Sequence, residues 1–227
     1  MERLFFMLEL QSSLNDATNG NSWEQGVTKN GKKIDWYRCI YMEAFELIDS
    51  YPWKHWKSID AKVDRENIKI ETVDIWHFVL SEAIKEARLK EVDLKTLAEN
   101  IQSKEYFQNF LKGQKSTIGD IYREVEIVEA LITSSILRVD MDKLMERFFD
   151  VAKVAKLDFD ELYTLYLGKN ILNRFRQDYG YKDGTYIKIW NGVEDNVVLR
   201  EILEREPNIA PNQLYLRLEN IYNSLQS

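Results

Sequence analysis

Two short stretches of the chain each carry two carboxylates three residues apart in an otherwise apolar sequence. The first pair is Glu43 and Glu46, and the second is Glu71 and Asp74. At about 100° per residue, two residues three apart lie on one face of an α-helix, about one turn from each other. Because a helix that is apolar nearly all round is usually buried, we expect these four acids to face the interior of the protein.

Buried carboxylates of this kind indicate a metal site. A buried acid must protonate, pair with a cation or bind a metal, because an uncompensated charge in the interior is too costly. Four oxygen ligands suit a hard divalent cation, Mg²⁺ first. The competing interpretation is a solvated helix face, but such a face mixes charges of both signs, as residues 82–91 do. Neither acid pair has a Lys or Arg in its own stretch, residues 39–50 and 70–80, so the metal site is favoured.

Positive charge in a fixed arrangement occurs in the second half of the chain. Lys169, Asn173 and Arg176 have spacings of four and three and share one helical face, and Lys182 and Lys188 follow in a stretch rich in Gly and Tyr. Point charges, a planar guanidinium and flexible glycines are what a polyphosphate clamp requires. Cationic helix faces also occur as solvated surface, but beside a Mg²⁺ site the cations would neutralise the same phosphates from a second side.

The first helical stretch adds two primary amides, Gln11 and Asn15, four residues apart and therefore on one face. A primary amide offers donors and an acceptor, which is what reading a nucleobase edge requires. From the spacing alone, a polar stripe on a surface helix is the favoured interpretation.

The elements that must position these residues are helices. Three Pro, nine Gly and a dominant helical periodicity, without a strand pattern of useful length, predict an all-α fold. We expect a helical bundle with an intrabundle carboxylate metal site and a mobile helical part, as a single all-α domain over 1–227. Its rigid metal-binding core would span about 1–115 and its phosphate-clamp and cap region about 116–227. The predicted helices are 2–17, 34–50, 69–91, 93–113, 118–136, 140–155, 158–178, 196–205 and 211–225, and the main predicted loops are 18–33 and 179–192.

Composition narrows the class of protein. A net charge of −7 and a pI near 5.1 disfavour an extended nucleic-acid surface. One cysteine, Cys39, cannot form an internal disulfide, which suits a reducing cytoplasm. No apolar stretch approaches the length of a transmembrane helix, so we expect a cytoplasmic protein without a membrane partner.

The acid pairs, separated by residues 47–70, resemble the E-x-x-E … E-x-x-D metal motif of the all-α nucleoside triphosphate pyrophosphatase superfamily, which includes the MazG-type enzymes. Within that superfamily the chain is similar to the dimeric deoxyuridine triphosphatases (dUTPases). The stretches that carry this narrower resemblance are 10–20, 51–57, 73–78 and 169–177, the last running into 180–182.

The resemblance implies hydrolysis of dUTP to dUMP and pyrophosphate, and of dUDP to dUMP and phosphate, by a homodimer. It implies Mg²⁺ on Glu43, Glu46, Glu71 and Asp74, and we expect Glu46 to take the proton from the attacking water. It also implies that Lys169, Arg176 and Lys182 form the phosphate clamp and that Asn173 contacts the sugar or base.

The same resemblance assigns residues to the deoxyuridine, and these include Gln11 and Asn15. Trp53 and Trp56 would line the base pocket or the dimer contact, with two core tryptophans as the alternative. His77 would contact the sugar or orient a ligand, with a hydrogen-bonded core histidine as the alternative. Asp195 and Asn196 match a final family motif, and we place Asn196 among the substrate-binding residues.

Three alternative functions remain open on the sequence. A related all-α pyrophosphatase acting on dCTP or on many nucleotides would share the metal site and differ in the base pocket. A di-iron carboxylate bundle protein is a different class, but it expects E-x-x-H ligand pairs, and the nearest approach here is Asp74-x-x-His77. A non-enzymatic helical interaction protein would tolerate neutral replacement of the four acids.

Overall fold

The computed structural model of the chain describes residues 2–58, 60–113, 119–207 and 209–225. The protein is all-α apart from one very short hairpin, as the sequence predicts. The chain divides into two compact units, Met1–Leu162 and Tyr163–Ser227. The boundary predicted near residue 115 falls within 114–118, which lies outside the described residues.

The first unit consists of helices that surround α3. Its elements are α1 (Glu2–Asn19), a 3₁₀ turn (Trp23–Gln25), α2 (Trp36–Asp49), α3 (Arg65–Leu89), α4 (Leu94–Ser103), α5 (Glu105–Leu111), α6 (Ile121–Ile136) and α7 (Met141–Val154). α8 (Phe159–Asp178) begins at the end of this unit and continues into the second. α3 packs against α1, α2, α4 and α7, and α6 packs against α2 and α7.

Aspartates begin most of these helices. In each case a side-chain oxygen accepts a hydrogen bond from a backbone N–H of the first turn, which satisfies a donor that has no partner within the helix. The capping residues are Asp35, Asp64, Asp93, Asp120 and Asp140. Asp64 explains why α3 begins at Arg65, four residues before the predicted start, because its Oδ1 accepts from the backbone N–H of Asn67 at 3.0 Å.

The aromatic core of the first unit lies between α3 and α7. Trp76 stacks on Phe148 with ring centroids 4.5 Å apart and also contacts Phe149, and all three side chains are fully buried. Burial of large aromatic side chains supplies much of the stability of a small domain. α3 is therefore the packed centre of the first unit.

The second unit is built from the remainder of α8, a hairpin, α9 (Asp195–Arg205) and α10 (Pro211–Ser224). The hairpin pairs β1 (Ile189–Trp190) with β2 (Val193–Glu194) in antiparallel register. Its turn residues Asn191 and Gly192 have φ values of 51° and 90°. The core of this unit is Leu172, Phe175, Trp190, Leu199, Ile202, Leu203, Leu214, Leu218 and Tyr222.

One predicted helix is wrong in its continuity. The segment predicted as a single helix over 93–113 is interrupted at Lys104, whose φ of −78° and ψ of 143° are extended. The extended residue allows Lys104 Nζ to donate to Asp142 on α7 at 2.5 Å.

Among the described helices, none is long and apolar enough to cross a membrane.

Candidate functional site

Three carboxylates from neighbouring helices converge in the first unit. Glu43 and Glu46 on α2 and Glu71 on α3 each offer an oxygen, and these oxygens all lie within 4.8 Å of one another. Extensive packing between α2 and α3 brings the two acid pairs to the same side of the unit. Asp74 is half-buried one turn further along α3 and does not belong to this group of three.

The prediction that the four acids face the interior is wrong for Glu46 and holds only in part for the other three. Glu46 is exposed, and Glu43, Glu71 and Asp74 are half-buried. The physical reason is that α2 packs against α3 and α6 and leaves its outer face uncovered, so that the apolar residue Phe45 is 48% exposed. The carboxylates therefore lie where solvent, an ion and a phosphate can reach them.

The donor set of this cluster fits Mg²⁺. Carboxylate oxygens are the ligands that hard divalent cations prefer, and three of them so close together repel one another unless a cation lies among them. Glu46 forms no ion pair with any residue that the structure describes. Cys39, one turn before Glu43, has its pKa raised to about 11 by burial, with the charge of Glu43 adding to the effect. Its thiol therefore stays protonated at neutral pH, and a thiol is a poor metal ligand.

A pocket of about 310 Å³ opens beside Glu46. Lys54, Lys57 and Lys62 line it, and Lys54 Nζ lies 2.6 Å from Asp49 Oδ1. The α2–α3 connection that forms this pocket also carries the two predicted tryptophans.

Those two tryptophans lie edge to face, with ring centroids 5.6 Å apart. Trp53 is half-buried, and Trp56 is 63% exposed. The alternative of two core tryptophans is therefore wrong for Trp56, whose ring is available to a ligand or a partner.

The predicted amides lie in a buried polar network with His77. Gln11 and Asn15 on α1 face His77 and Ser81 on α3, and all four side chains are buried. Gln11 Oε1 is 2.7 Å from His77 Nδ1, and Gln11 Nε2 donates to Asn15 Oδ1 at 3.1 Å. The nitrogens of both amides lie 3.0 Å from Ser81 Oγ. The surface-stripe interpretation of Gln11 and Asn15 is therefore wrong, because α1 buries this face against α3.

Sequence reasoning did not identify Ser81. The available signal was its spacing, since Ser81 follows His77 by four residues on α3 just as Asn15 follows Gln11 by four on α1. Two helices that face each other with matching four-residue spacings bring such side chains together.

A second layer of polar contacts holds α1 on α3 next to this network. The guanidinium of Arg88 donates to both carboxylate oxygens of Asp16, at 2.8 and 2.9 Å, and to Ser12 Oγ at 2.7 Å. Its charged group also lies 5.1 Å from the centre of the Trp23 ring. A bidentate pair of this kind fixes geometry as well as contributing energy, so it fixes the position of Gln11 and Asn15 relative to α3.

In the second unit the structure brings together the predicted clamp residues of α8 and Asn196 of α9. Lys169 Nζ donates to Asn196 Oδ1 at 3.0 Å, and Arg176 Nη2 donates to the same oxygen at 3.2 Å. Arg176 Nη1 also donates to Asn173 Oδ1 at 3.2 Å. α8 and α9 approach closely at Gly168, where a Cβ atom would lie 2.7 Å from Leu203 Cδ1.

A buried ion pair lies at the centre of this cluster. Arg176 Nε and Nη2 donate to the two oxygens of Asp195, each at 2.8 Å, and Asp195 is fully buried. Tyr186 O–H donates to the same carboxylate at 2.7 Å. Burial alone would raise the pKa of Asp195, but its hydrogen bonds and charge interaction with Arg176 outweigh burial and hold that pKa below its usual value.

The two remaining predicted cations are Lys182 and Lys188. Lys182 is exposed in the loop after α8. Lys188 pairs with Glu194 at 3.2 Å. Among the predicted clamp residues, Lys169, Asn173 and Arg176 are those that the structure shows joined through Asn196 and Arg176.

Comparison with known proteins places these residues in a family. The family model described as dUTPase matches residues 3–181, which include both acid pairs, the buried amide network, and Lys169 to Arg176. Lys182, Asp195 and Asn196 lie beyond the matched residues. A comparison with curated proteins returned no match. The chain therefore belongs to the dUTPase family of the all-α, MazG-like type, and it is a dUTP diphosphatase.

Proposed function

We propose that the protein hydrolyses dUTP to dUMP and pyrophosphate in a Mg²⁺-dependent reaction, and that it also hydrolyses dUDP to dUMP and phosphate. This activity would limit uracil in DNA and supply dUMP. The observation that supports metal dependence is the cluster of three carboxylates, whose oxygens lie within 4.8 Å of one another inside the matched part of the chain.

Glu43, Glu46 and Glu71 would hold the metal, with Asp74 as a fourth ligand. Bound there, Mg²⁺ would neutralise charge on the phosphate oxygens and lower the pKa of a coordinated water. Glu46 is the exposed member of the cluster and has no ion pair among the described residues, so we assign to it the removal of a proton from the attacking water.

The cations of the second unit would bind the phosphates. Lys169 and Lys182 supply point charges, and Arg176 supplies a planar donor whose orientation the buried carboxylate of Asp195 fixes. Donors that are already oriented stabilise charge that develops on phosphoryl oxygens without reorganising during the reaction. Asn173 and Asn196 both accept hydrogen bonds from this cluster. Asn173 would contact the sugar or base, and Asn196 would also bind the substrate.

The base would be read from the first unit. Gln11 and Asn15 would hydrogen-bond the uracil edge, and His77 would orient Gln11 through their 2.7 Å hydrogen bond. Trp53 and Trp56 would stack on the base or contact the second subunit. Rejection of dTTP requires tight packing around the 5-position, because a methyl group alone is worth only about 1–3 kcal/mol in a hydrophobic pocket.

We also propose a cytoplasmic homodimer. Met42, Phe45 and Trp56 are all exposed on the first unit, and exposed apolar side chains of this size are typical of protein interfaces. Light scattering should give twice the mass of one chain, and a monomer at micromolar concentration would contradict the dimer.

The test of this function is a nucleotide panel measured with Mg²⁺ and with EDTA. We expect product release from dUTP and dUDP with Mg²⁺, much slower turnover of dTTP and dCTP, and no turnover of any nucleotide in EDTA. Equal rates for dCTP and dUTP would indicate a broader pyrophosphatase. Full activity in EDTA would contradict the metal dependence.

A further inference from the structure

The hydroxyl of Ser81 lies between the two amides that we assign to base recognition. Its oxygen is 3.0 Å from Gln11 Nε2 and 3.0 Å from Asn15 Nδ2, and Ser81 itself is fully buried. The side chain of Ser81 is also tied to the α3 backbone, because its Oγ lies 2.8 Å from the carbonyl oxygen of His77.

The single proton of Ser81 decides how both amides are oriented. A carbonyl oxygen only accepts hydrogen bonds, so the 2.8 Å contact with the His77 carbonyl requires the Ser81 O–H to donate there. The competing acceptor, Asn15 Oδ1, is more distant at 3.4 Å. Ser81 Oγ is then left only with lone pairs, so each neighbouring amide must turn its NH₂ group, not its oxygen, toward Ser81.

The contacts of Gln11 are consistent with that orientation. With its nitrogen toward Ser81, its Oε1 accepts from His77 Nδ1 at 2.7 Å, which requires a proton on Nδ1 of His77. Gln11 Nε2 also donates to Asn15 Oδ1 at 3.1 Å. Each of these hydrogen bonds therefore pairs a donor with an acceptor, and flipping either amide would place two like groups together.

For Asn15, a fixed amide orientation has a chemical consequence. Among the described residues, the network uses one of the two N–H groups of Asn15, and Asn15 Oδ1 accepts one hydrogen bond from Gln11. One N–H donor and one further lone pair of Oδ1 therefore remain on the Asn15 side chain. Uracil presents a donor at N3 beside acceptor oxygens, whereas cytosine presents an acceptor at N3 beside the donor at N4. An amide held in one orientation can match uracil, and the flipped amide matches cytosine.

We propose that Ser81 is a positioning residue that determines specificity for uracil over cytosine by locking the amide orientation of Asn15 and Gln11. This inference rests on the proposed function, in which these two amides read the base. Ser81 need not touch the substrate, because its effect is transmitted through two hydrogen bonds of 3.0 Å.

The test is Ser81→Ala, with kcat/KM measured for dUTP and dCTP. Removing the hydroxyl removes the penalty on flipped amides, so we expect the dUTP-to-dCTP ratio of kcat/KM to fall about tenfold or more. Ser135→Ala is the matched control, because Ser135 is equally buried and donates to the carbonyl four residues earlier, on Leu131, at 2.9 Å. That variant should lose similar stability and keep the wild-type ratio, whereas a merely structural role of Ser81 would lower both substrates' kcat/KM equally.

Two further variants keep the outcomes distinct. Asn15→Leu should lower kcat/KM for dUTP, and no change in that variant would contradict base reading by the amides, which is the proposed function itself. If Asn15→Leu is impaired while Ser81→Ala keeps the wild-type ratio, the amides read the base and the role of Ser81 is wrong. If Ser81→Ala does not fold, Ser81→Cys retains the size with a weaker acceptor, and an unchanged ratio there would overturn the proposal.

Discussion

Arg176 donates in the plane of its guanidinium to Asp195, Asn173 and Asn196, so its role depends on shape as well as on charge. A lysine at this position would keep the charge but lose the planar fork. We expect Arg176→Lys to lower kcat/KM for dUTP about 100-fold, with a larger loss in turnover than in binding if the group acts mainly in the transition state.

The control for this substitution is Arg174→Lys. Arg174 lies on the same helix but is exposed, so its replacement should leave kinetics unchanged. Equal kinetics of Arg176→Lys and wild type would instead make Arg176 a structural residue of the second unit.

The buried network of Gln11, Asn15, His77 and Ser81 illustrates what sequence can and cannot predict at this scale. Spacing places Gln11 and Asn15 on one face of a helix, but a polar face has the same pattern whether solvent or another helix covers it. Only the packing of α1 on α3 decides that these amides are buried. The resemblance to dUTPases gave them a binding role that periodicity did not, and Ser81 has no sequence pattern of its own.

At the scale of elements, the buried pair of Arg176 and Asp195 links α8 to the start of α9. Breaking a buried ion pair by removing one partner's charge typically costs about 3–5 kcal/mol. We therefore expect Asp195→Asn to lower the free energy of unfolding by about 3 kcal/mol at pH 7.

The pH dependence of that difference has a definite sign. In the folded protein the pKa of Asp195 is held below its unfolded value of about 3.9. The Asp195 carboxylate therefore stabilises the fold fully above about pH 3.9, and this stabilisation is lost as the pH falls from there through the folded pKa. Denaturant unfolding of wild type and Asp195→Asn from pH 7 to pH 3 should give a constant difference down to about pH 4 that then shrinks. Asp183→Asn, an exposed loop substitution, is the control, and a difference that grows on acidification would contradict the account.

The helices themselves follow from the sequence because apolar periodicity and aspartate caps are local signals. The predicted 140–155 and 158–178 correspond to Met141–Val154 and Phe159–Asp178. The break at Lys104 is not local, since it accompanies a contact with Asp142 on α7. The hairpin was predictable, because Asn191-Gly192 is a strong two-residue turn signal that its short flanking strands obscured.

At the scale of the whole molecule, the chain separates into two compact units, and the predicted metal ligands and phosphate-binding cations lie in different ones. Composition and periodicity predict an all-α protein but do not indicate this division, because α8 runs through the boundary as one continuous helix. Turn glycines, among them Gly180 and Gly184 with φ of 84° and 72°, lie in the loop that follows α8.

We predict that this loop and the clamp close on bound nucleotide. Residues 169–196 should gain protection from amide exchange when Mg²⁺ and a non-hydrolysable dUTP analogue bind together, because closure excludes water from the phosphates. Residues 39–50 and 70–80 should change less, since α2 and α3 form the packed centre of the first unit. Equal protection of 169–196 with and without ligand would indicate a preformed site.

In the mechanism that we propose, the carboxylates of α2 and α3 form the catalytic metal centre. The most direct measurement is dUTP hydrolysis as a function of Mg²⁺ concentration for wild type, Glu46→Ala and Asp74→Ala, with Glu99→Ala on α4 as the exposed control. We predict that both site variants stay folded and lose hydrolysis at every Mg²⁺ concentration. Their stability without metal should equal or exceed that of wild type, because like charges have been removed. The control should retain wild-type activity. Full activity of Glu46→Ala or Asp74→Ala with Mg²⁺ present would contradict the assignment.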